Sequence, residues 1–225
     1  VPKITPNTVG RATPSAAGYA VSLDGTNDSV ELADTSYGNV NFTIEAWHKG
    51  SDSSGYLVAN NGISDLLISS GTARFTYNAG TSRSLTGAIT INNNVWHHIV
   101  AIRSGTTMLL YVDNTADGSR STTGSNHNPG FREIGRNGAG SYLAGALDEV
   151  RIYTKALTTA EIAAHWNSGN GQFGSPEANL VAGWHFDENS GTSAADYSGS
   201  GKTGTLTNGA TWTAGKVAPG GGGGA

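Results

Sequence analysis

The chain has 225 residues, 33 of them glycine and none cysteine, and 13 Lys and Arg against 17 Asp and Glu leave a net charge of −4. Without cysteine there can be no disulfide framework, zinc ribbon, thiol nucleophile or iron–sulfur site, and mild acidity with no basic cluster excludes nucleic-acid binding driven by phosphate neutralisation. No apolar run reaches the roughly 18–20 residues that a membrane-crossing helix needs, so no membrane insertion is expected.

In chain order, period-2 alternation dominates. Tyr19–Leu23 sets Tyr19, Val21 and Leu23 on one face. Phe42–Trp47 sets Phe42, Ile44 and Ala46 on one face and Glu45 and Trp47 on the other. Further strand runs are Leu66–Ile68, Arg74–Tyr77, Trp96–Arg103, Met108–Asp113, Ser141–Gly145 and Leu147–Tyr153. Turn dipeptides such as Asp24-Gly25, Asn61-Gly62, Ser104-Gly105 and Asn137-Gly138 separate them. Many short strands without intervening helices predict an all-β fold, an antiparallel jelly-roll sandwich. One short helix is predicted near 158–167, where Thr158 and Glu161 form a capping-box pair ahead of Ile162, His165 and Trp166, with Gly169 placed to end it.

Beyond the helix the composition changes. Residues 1–167 read as the body of the fold and 168–177 as a flexible linker, rich in Gly, Asn and Ser. Strand-like sequence returns over 178–217, with Leu180–Phe186 and Thr203–Leu206, and a Gly-rich tail fills 218–225. About forty residues with no cysteine are too few to fold alone, so 178–217 must pack on a jelly roll, its own or a neighbour's.

The segments Leu23–Val30, Phe42–Trp47, Trp96–Ala101, Leu110–Asp113 and Leu147–Tyr153 follow one another in order, then Lys155–Leu157 and the Glu161-Ile162 helix. Together they resemble the laminin-G-like, concanavalin A-like jelly-roll domains of bacterial and archaeal surface proteins. The stretches Trp184–Gly191, Ala195–Gly201, Gly204–Gly209 and Trp212–Lys216 resemble the opening strands of the same family, placed here after its last strand and helix. A sandwich that lacks its opening strands exposes backbone donors, acceptors and an apolar groove. Three outcomes stay open: the tail completes its own domain, it completes the next copy head-to-tail, or the chain is a cut from a tandem array. In the first two, Trp184, Phe186, Leu206 and Trp212 are the expected anchors of the assembly strands.

Catalysis is not expected. No Glu-x-Asp-x-Glu run offers paired acids, and no Gly-x-Ser-x-Gly elbow is present. On regular strands the neighbours Asp148 and Glu149, like His97 and His98, would face opposite sides. Calcium fits the oxygen chemistry better: the turn Asp24-Gly-Thr-Asn27-Asp28 supplies three oxygen side chains in five residues, unless Asp24 or Asn27 caps its own backbone. The resemblance adds Asp148, near the start of the final strand, and Asp187 and Asp196 in the tail motifs. It also implies an extracellular or cell-surface place and surface glycans as partners. Trp47, Tyr77 and His98 are the candidate ligand-binding rings, with Trp96 and Tyr142 also available. The function expected is structural or adhesive, either by self-assembly through the C-terminal strands or as a calcium-dependent carbohydrate-binding module of a larger surface protein.

Overall fold

A computed structural model of the chain describes residues 18–33, 41–60, 63–78, 82–122, 130–138 and 140–220. The expected Asn61-Gly62 turn and the glycines from 221 onward lie outside the described residues. The strands are β1 (Tyr19–Asp24), β2 (Ser29–Leu32), β3 (Phe42–Lys49), β4 (Ser54–Ala59), β5 (Ser64–Ser69), β6 (Thr72–Asn78), β7 (Ser82–Thr90) and β8 (His97–Ser104). They continue with β9 (Thr107–Val112), β10 (Thr115–Ser121), β11 (Glu133–Ile134) and β12 (Ala144–Tyr153), then helix α1 (Thr159–Trp166). The last four are β13 (Leu180–Trp184), β14 (Ser193–Ala194), β15 (Gly204–Thr207) and β16 (Thr211–Ala214).

These strands form two antiparallel sheets. Sheet A has the order β10-β9-β8-β3-β12-β1-β16, with β13 also on β12; sheet B has the order β14-β15-β2-β11-β4-β5-β6-β7. Alternation decides which side chains meet between the sheets. Phe42, Ile44 and Ala46 of β3, Ile99 and Ala101 of β8, and Ala73, Phe75 and Tyr77 of β6 all enter one core. Phe42 sits at the centre of an aromatic group, its ring centroid 5.9 Å from Phe75 and Tyr77 and 6.0 Å from Phe131. Burying side chains of this size stabilises by roughly 1.5–3 kcal/mol each.

The antiparallel jelly roll with one helix is as the sequence predicts. Its detail differs in three places. Ser141–Gly145 and Leu147–Tyr153 are not two strands, because β12 runs unbroken over Ala144–Tyr153 and residues 141–143 precede it. Asp148 and Glu149 share a face: a bulge shifts the register between Asp148 and Arg151, and Glu149 takes φ 46°. Leu147, Val150 and Ile152 point into the core, so the bulge turns both acids outward. The helix carries its capping box, Glu161 N–H donating to Thr158 Oγ1 at 3.3 Å and Thr158 N–H to Glu161 Oε2 at 2.8 Å. It ends at Asn167, left-handed at φ 47°, two residues before Gly169.

The C-terminal strands pair within the chain. β13 lies on the second half of β12, β15 on β2 and β16 on β1. They supply the outer strand of each sheet on that side, β16 in sheet A and β14 in sheet B. Trp184, Phe186 and Leu206 are buried in the core, and the indole N–H of Trp184 donates to the Lys202 carbonyl at 2.9 Å. Trp212 is half-buried against the core, with its N–H on the Gly191 carbonyl. Residues 168–177, read from composition as a flexible linker, lie across the outer face of sheet A. There Arg151 donates to the Gln172 carbonyl, Gly174 N–H to Glu149 at 3.2 Å and Tyr153 O–H to Glu177 at 2.6 Å. Polar composition missed these bonds because most are made by backbone groups.

Candidate functional site

The two outer faces differ in kind. Sheet A is covered. Helix α1 places Ile162 over Val100, Ile102, Tyr153, Leu157 and Leu180 in a second apolar cluster. Beside it lies a buried polar chain. Glu45, fully buried, accepts from Arg151 at 2.7 Å and lies 3.0 Å from His165 Nδ1. Arg151 also donates to Glu149 at 2.8 Å, and Glu149 lies 2.6 Å from His185 Nδ1. The His185 ring is stacked between Phe173 and Tyr197 at 4.0 and 3.9 Å. Burial works to raise the Glu45 carboxyl, but Arg151 and His165 outweigh it and hold that group well below the usual carboxylate range. Glu45 and Glu149 are thus ion-paired under a cover of protein, out of reach of any substrate.

That cover also removes the expected ligand rings. Trp47 is 1% exposed, stacked on Trp166 at 5.3 Å and beneath Lys216, whose Nζ lies 5.1 Å from its ring. His98 is 1% exposed, between Trp47 and Glu45. Tyr77 is 1% exposed in the core, with the Arg103 guanidinium over its ring. Alternation put Trp47 on the strand face opposite Phe42, Ile44 and Ala46 without telling which face is open, and the structure shows Trp166 of the helix stacked over Trp47 and His98.

The proposed metal ligands do not converge either. Asp24 accepts from Thr26 N–H at 2.8 Å, forming the self-capped turn, and Asp28 accepts from Asp24 N–H at 3.1 Å; Asn27 is exposed and its carbonyl accepts from Asn208. Asp148 accepts the amides of Lys216 and Val217 at 2.7 and 2.9 Å. Asp196 accepts from Gly183 and Ser198 N–H on one oxygen and from Ser198 O–H and Lys202 N–H on the other. Asp187 accepts from Tyr19 N–H. Among the described residues no three His, Asp or Glu side chains gather to hold a metal ion. These carboxylates accept mainly from backbone amides, and among the described residues Asp28 Oδ1, Asp148 Oδ1 and Asp187 Oδ2 are buried with no hydrogen-bond partner.

Sheet B leaves its outer face open, and a groove of about 410 Å³ lies on it. Tyr56 of β4 and Leu67 of β5 stand opposite each other in register and form its floor. Tyr142 forms a wall, and Ser53, Ser54, Ser69, Ser70 and Ser141 supply hydroxyls around the rim. Local backbone makes this possible. Ser70 and Gly71 both take positive φ (53° and 79°), which closes the β5–β6 hairpin in two residues and keeps its serines at the groove edge. Gly55 lets the chain at Leu143 cross close over β4, where a Cβ would meet Leu143 Cδ1 at 2.8 Å. Tyr142 is thereby brought beside Tyr56. Two half-exposed aromatic rings with hydroxyl donors and acceptors around them are suited to a polyhydroxylated ligand, and the volume lies in the ~300–1,000 Å³ range of small-ligand sites. Sequence reasoning named Tyr142 but passed over Tyr56. The available signal was a tyrosine that follows a Ser/Gly pair in each segment, Ser54-Gly55-Tyr56 and Gly140-Ser141-Tyr142.

The sequence pattern of the concanavalin A-like lectin/glucanases superfamily matches residues 24–163, more than half of the chain. The chain belongs to this superfamily. Among solved structures, this concanavalin A-like domain is similar to a candidate carbohydrate binding protein from Bacteroides ovatus, with a TM-score of 0.72 and 16% identity over 88% of this chain. It spans 60% of that protein's length. It is similar to the heptameric SAP-like pentraxin of Limulus polyphemus (TM-score 0.62, 16% identity, 88% of this chain and 95% of that one). It is also similar to domain 4 of the extracellular arabinanase AbnA of Geobacillus stearothermophilus, solved with arabinotriose (TM-score 0.52, 17% identity, 64% of this chain and 74% of that one). No curated protein sequence matches the chain significantly. At these identities the likeness is one of fold. No helix among the described residues is long and apolar enough to cross a membrane.

Proposed function

We propose that this concanavalin A-like domain is a non-catalytic, extracellular carbohydrate-binding module whose site is the Tyr56–Tyr142 groove. The carrying observation is the open face of sheet B, with two tyrosines and five serines around one groove, while the acids of sheet A are buried and paired. Rings of this kind bind the apolar C–H faces of sugars, and the hydroxyls around them fix orientation. The Bacteroides and Geobacillus neighbours, one named for carbohydrate binding and one solved with a sugar, support the reading. Replacing Tyr56 or Tyr142 by Ala should weaken binding to arabinan or a related glycan about tenfold, or about 1.4 kcal/mol, with the melting temperature little changed. Isothermal titration checks this. Equal affinity in both variants would place binding elsewhere.

A second reading concerns assembly and draws on a different observation. The C-terminal strands bring Trp184, Phe186 and Leu206 into the core and form an outer strand of each sheet, so a copy without them has an open seam. We propose that these strands can complete a neighbouring copy as well as their own, giving head-to-tail chains at high concentration. Light scattering should then show a ladder of multiples that disappears when residues 178–225 are supplied in excess as a separate peptide. A single-chain mass at every concentration would rule exchange out.

A further inference from the structure

We infer that the end of the sandwich where β3 begins and β6 and β8 finish binds one small monovalent anion, of the size of chloride, on the guanidinium of Arg103. This site is separate from the glycan groove and does not depend on it. Arg103 lies on the face of β8 that carries Ile99 and Ala101 into the core, and it is 1% exposed. Its neighbours in register are Phe42 of β3 and Met108 of β9, both fully buried. The guanidinium lies over the Tyr77 ring of β6, with Cζ 5.0 Å from the ring centroid. Among the described residues none of Nε, Nη1 and Nη2 has a hydrogen-bond partner.

A guanidinium keeps its charge at any working pH, and a buried charge without a counter-charge is strongly unfavourable. The face of a tyrosine ring attracts that charge, but it does not take up the N–H groups that point outward in the guanidinium plane. Polar side chains at this end are engaged with backbone. The Thr122 hydroxyl donates to the Thr106 carbonyl at 3.1 Å, and the Asn41 carboxamide oxygen accepts from Gly105 N–H at 2.7 Å. Water would accept from the guanidinium and leave its charge uncancelled. A monovalent anion does both. Two further arginines strengthen the field that draws it in. Arg120 stands opposite Met108 and donates to the Ser84 carbonyl at 2.6 Å, and Arg83 stands opposite Tyr77. Burial sets the size: the acid group of a sugar chain or a protein does not reach a side chain so enclosed, whereas a single ion does.

The test replaces sodium gluconate by sodium chloride at constant ionic strength and follows thermal unfolding of the whole chain. The midpoint should rise by about 5 °C on reaching roughly 0.1 M chloride and then level off, as one site fills. Bromide should act as chloride does. Arg103→Met should lose the chloride-dependent rise, and in gluconate it should melt no lower than the wild type, because the unpaired charge leaves with the side chain. Should that variant fail to fold, the wild-type chain carries the test alone: it should broaden the chloride NMR line, and bromide should reverse the broadening. A midpoint that is equal in the two salts, or a rise that persists in Arg103→Met, overturns the inference. Broadening without any rise in the midpoint means an adventitious ion only and overturns it as well.

Discussion

Replacing Arg151 by methionine should destabilise the domain by about 3–5 kcal/mol, the largest effect expected of any single polar substitution in it. Arg151 is 2% exposed and divides its guanidinium between Glu45 and Glu149, both buried. Methionine fills much of the same space but leaves two carboxylates facing each other in a region of low polarity. Adding Glu45→Gln and Glu149→Gln to the same chain should recover a large part of the loss, since the cost arises from unpaired charge. Urea unfolding of the three chains measures it. A loss below about 1 kcal/mol for Arg151→Met would mean that the pair is solvated and the cover over sheet A opens readily.

The second large effect is acid lability from His48. This β3 side chain is buried against Gly50 and the β12 residue Gly145, where a Cβ at either glycine would lie within 3.0 Å of the ring. Among the described residues neither ring nitrogen has a hydrogen-bond partner. Burial, and then the neighbouring charge of His97, lower its pKa from 6.5 to about 4. The unfolded chain thus takes up a proton over a range in which the folded chain does not. His48 leaves stability unaffected above pH 6.5, and stability falls as the pH drops from there towards 4. The total loss is about 3 kcal/mol, at 1.36 kcal/mol per pKa unit. His48→Leu should flatten the unfolding free energy between pH 6.5 and 4, while the wild-type chain loses most of this amount. Equal pH slopes in the two proteins would assign the lability to other groups.

Legibility in the sequence followed the local period. The strands β3, β8 and the Leu147–Tyr153 part of β12 were visible because apolar residues alternate through Phe42-Thr43-Ile44 and run together through Ile99-Val100-Ala101, and the helix because its capping box is a four-residue signal. β7 and β10 were not: Ser82–Thr90 and Thr115–Ser121 are mostly polar edge strands with a glycine inside each, and their pairing comes from neighbours. The Asp148–Glu149 geometry failed for another reason. A bulge adds a residue without any composition signal, and it reverses which side an acid faces. Alternation separated Trp47 from the Phe42–Ile44–Ala46 face but could not say which face is open, and only tertiary structure shows that α1 and the chain after it cover the side of Trp47 and His98. The groove needed the same information, since Tyr56 and Tyr142 lie far apart in sequence and meet only through the β4–β5 register and the crossing at Gly55.

The fork where β1 and β16 meet has a mechanical consequence. Gly215 N–H donates to the Gly18 carbonyl at 2.8 Å, so the chain enters and leaves this strand pair at one end. A load applied between those two points does not shear the ladder, in which all bonds would resist together. It opens the ladder like a zip, one bond at a time from Tyr19 and Ala214 inwards. The first grip it meets is the Asp148 carboxylate on the amides of Lys216 and Val217. A surface on which such domains are strung in series would therefore yield at low force by peeling these outer strands, while the sandwich behind them stayed folded, and it would close again when slack returned.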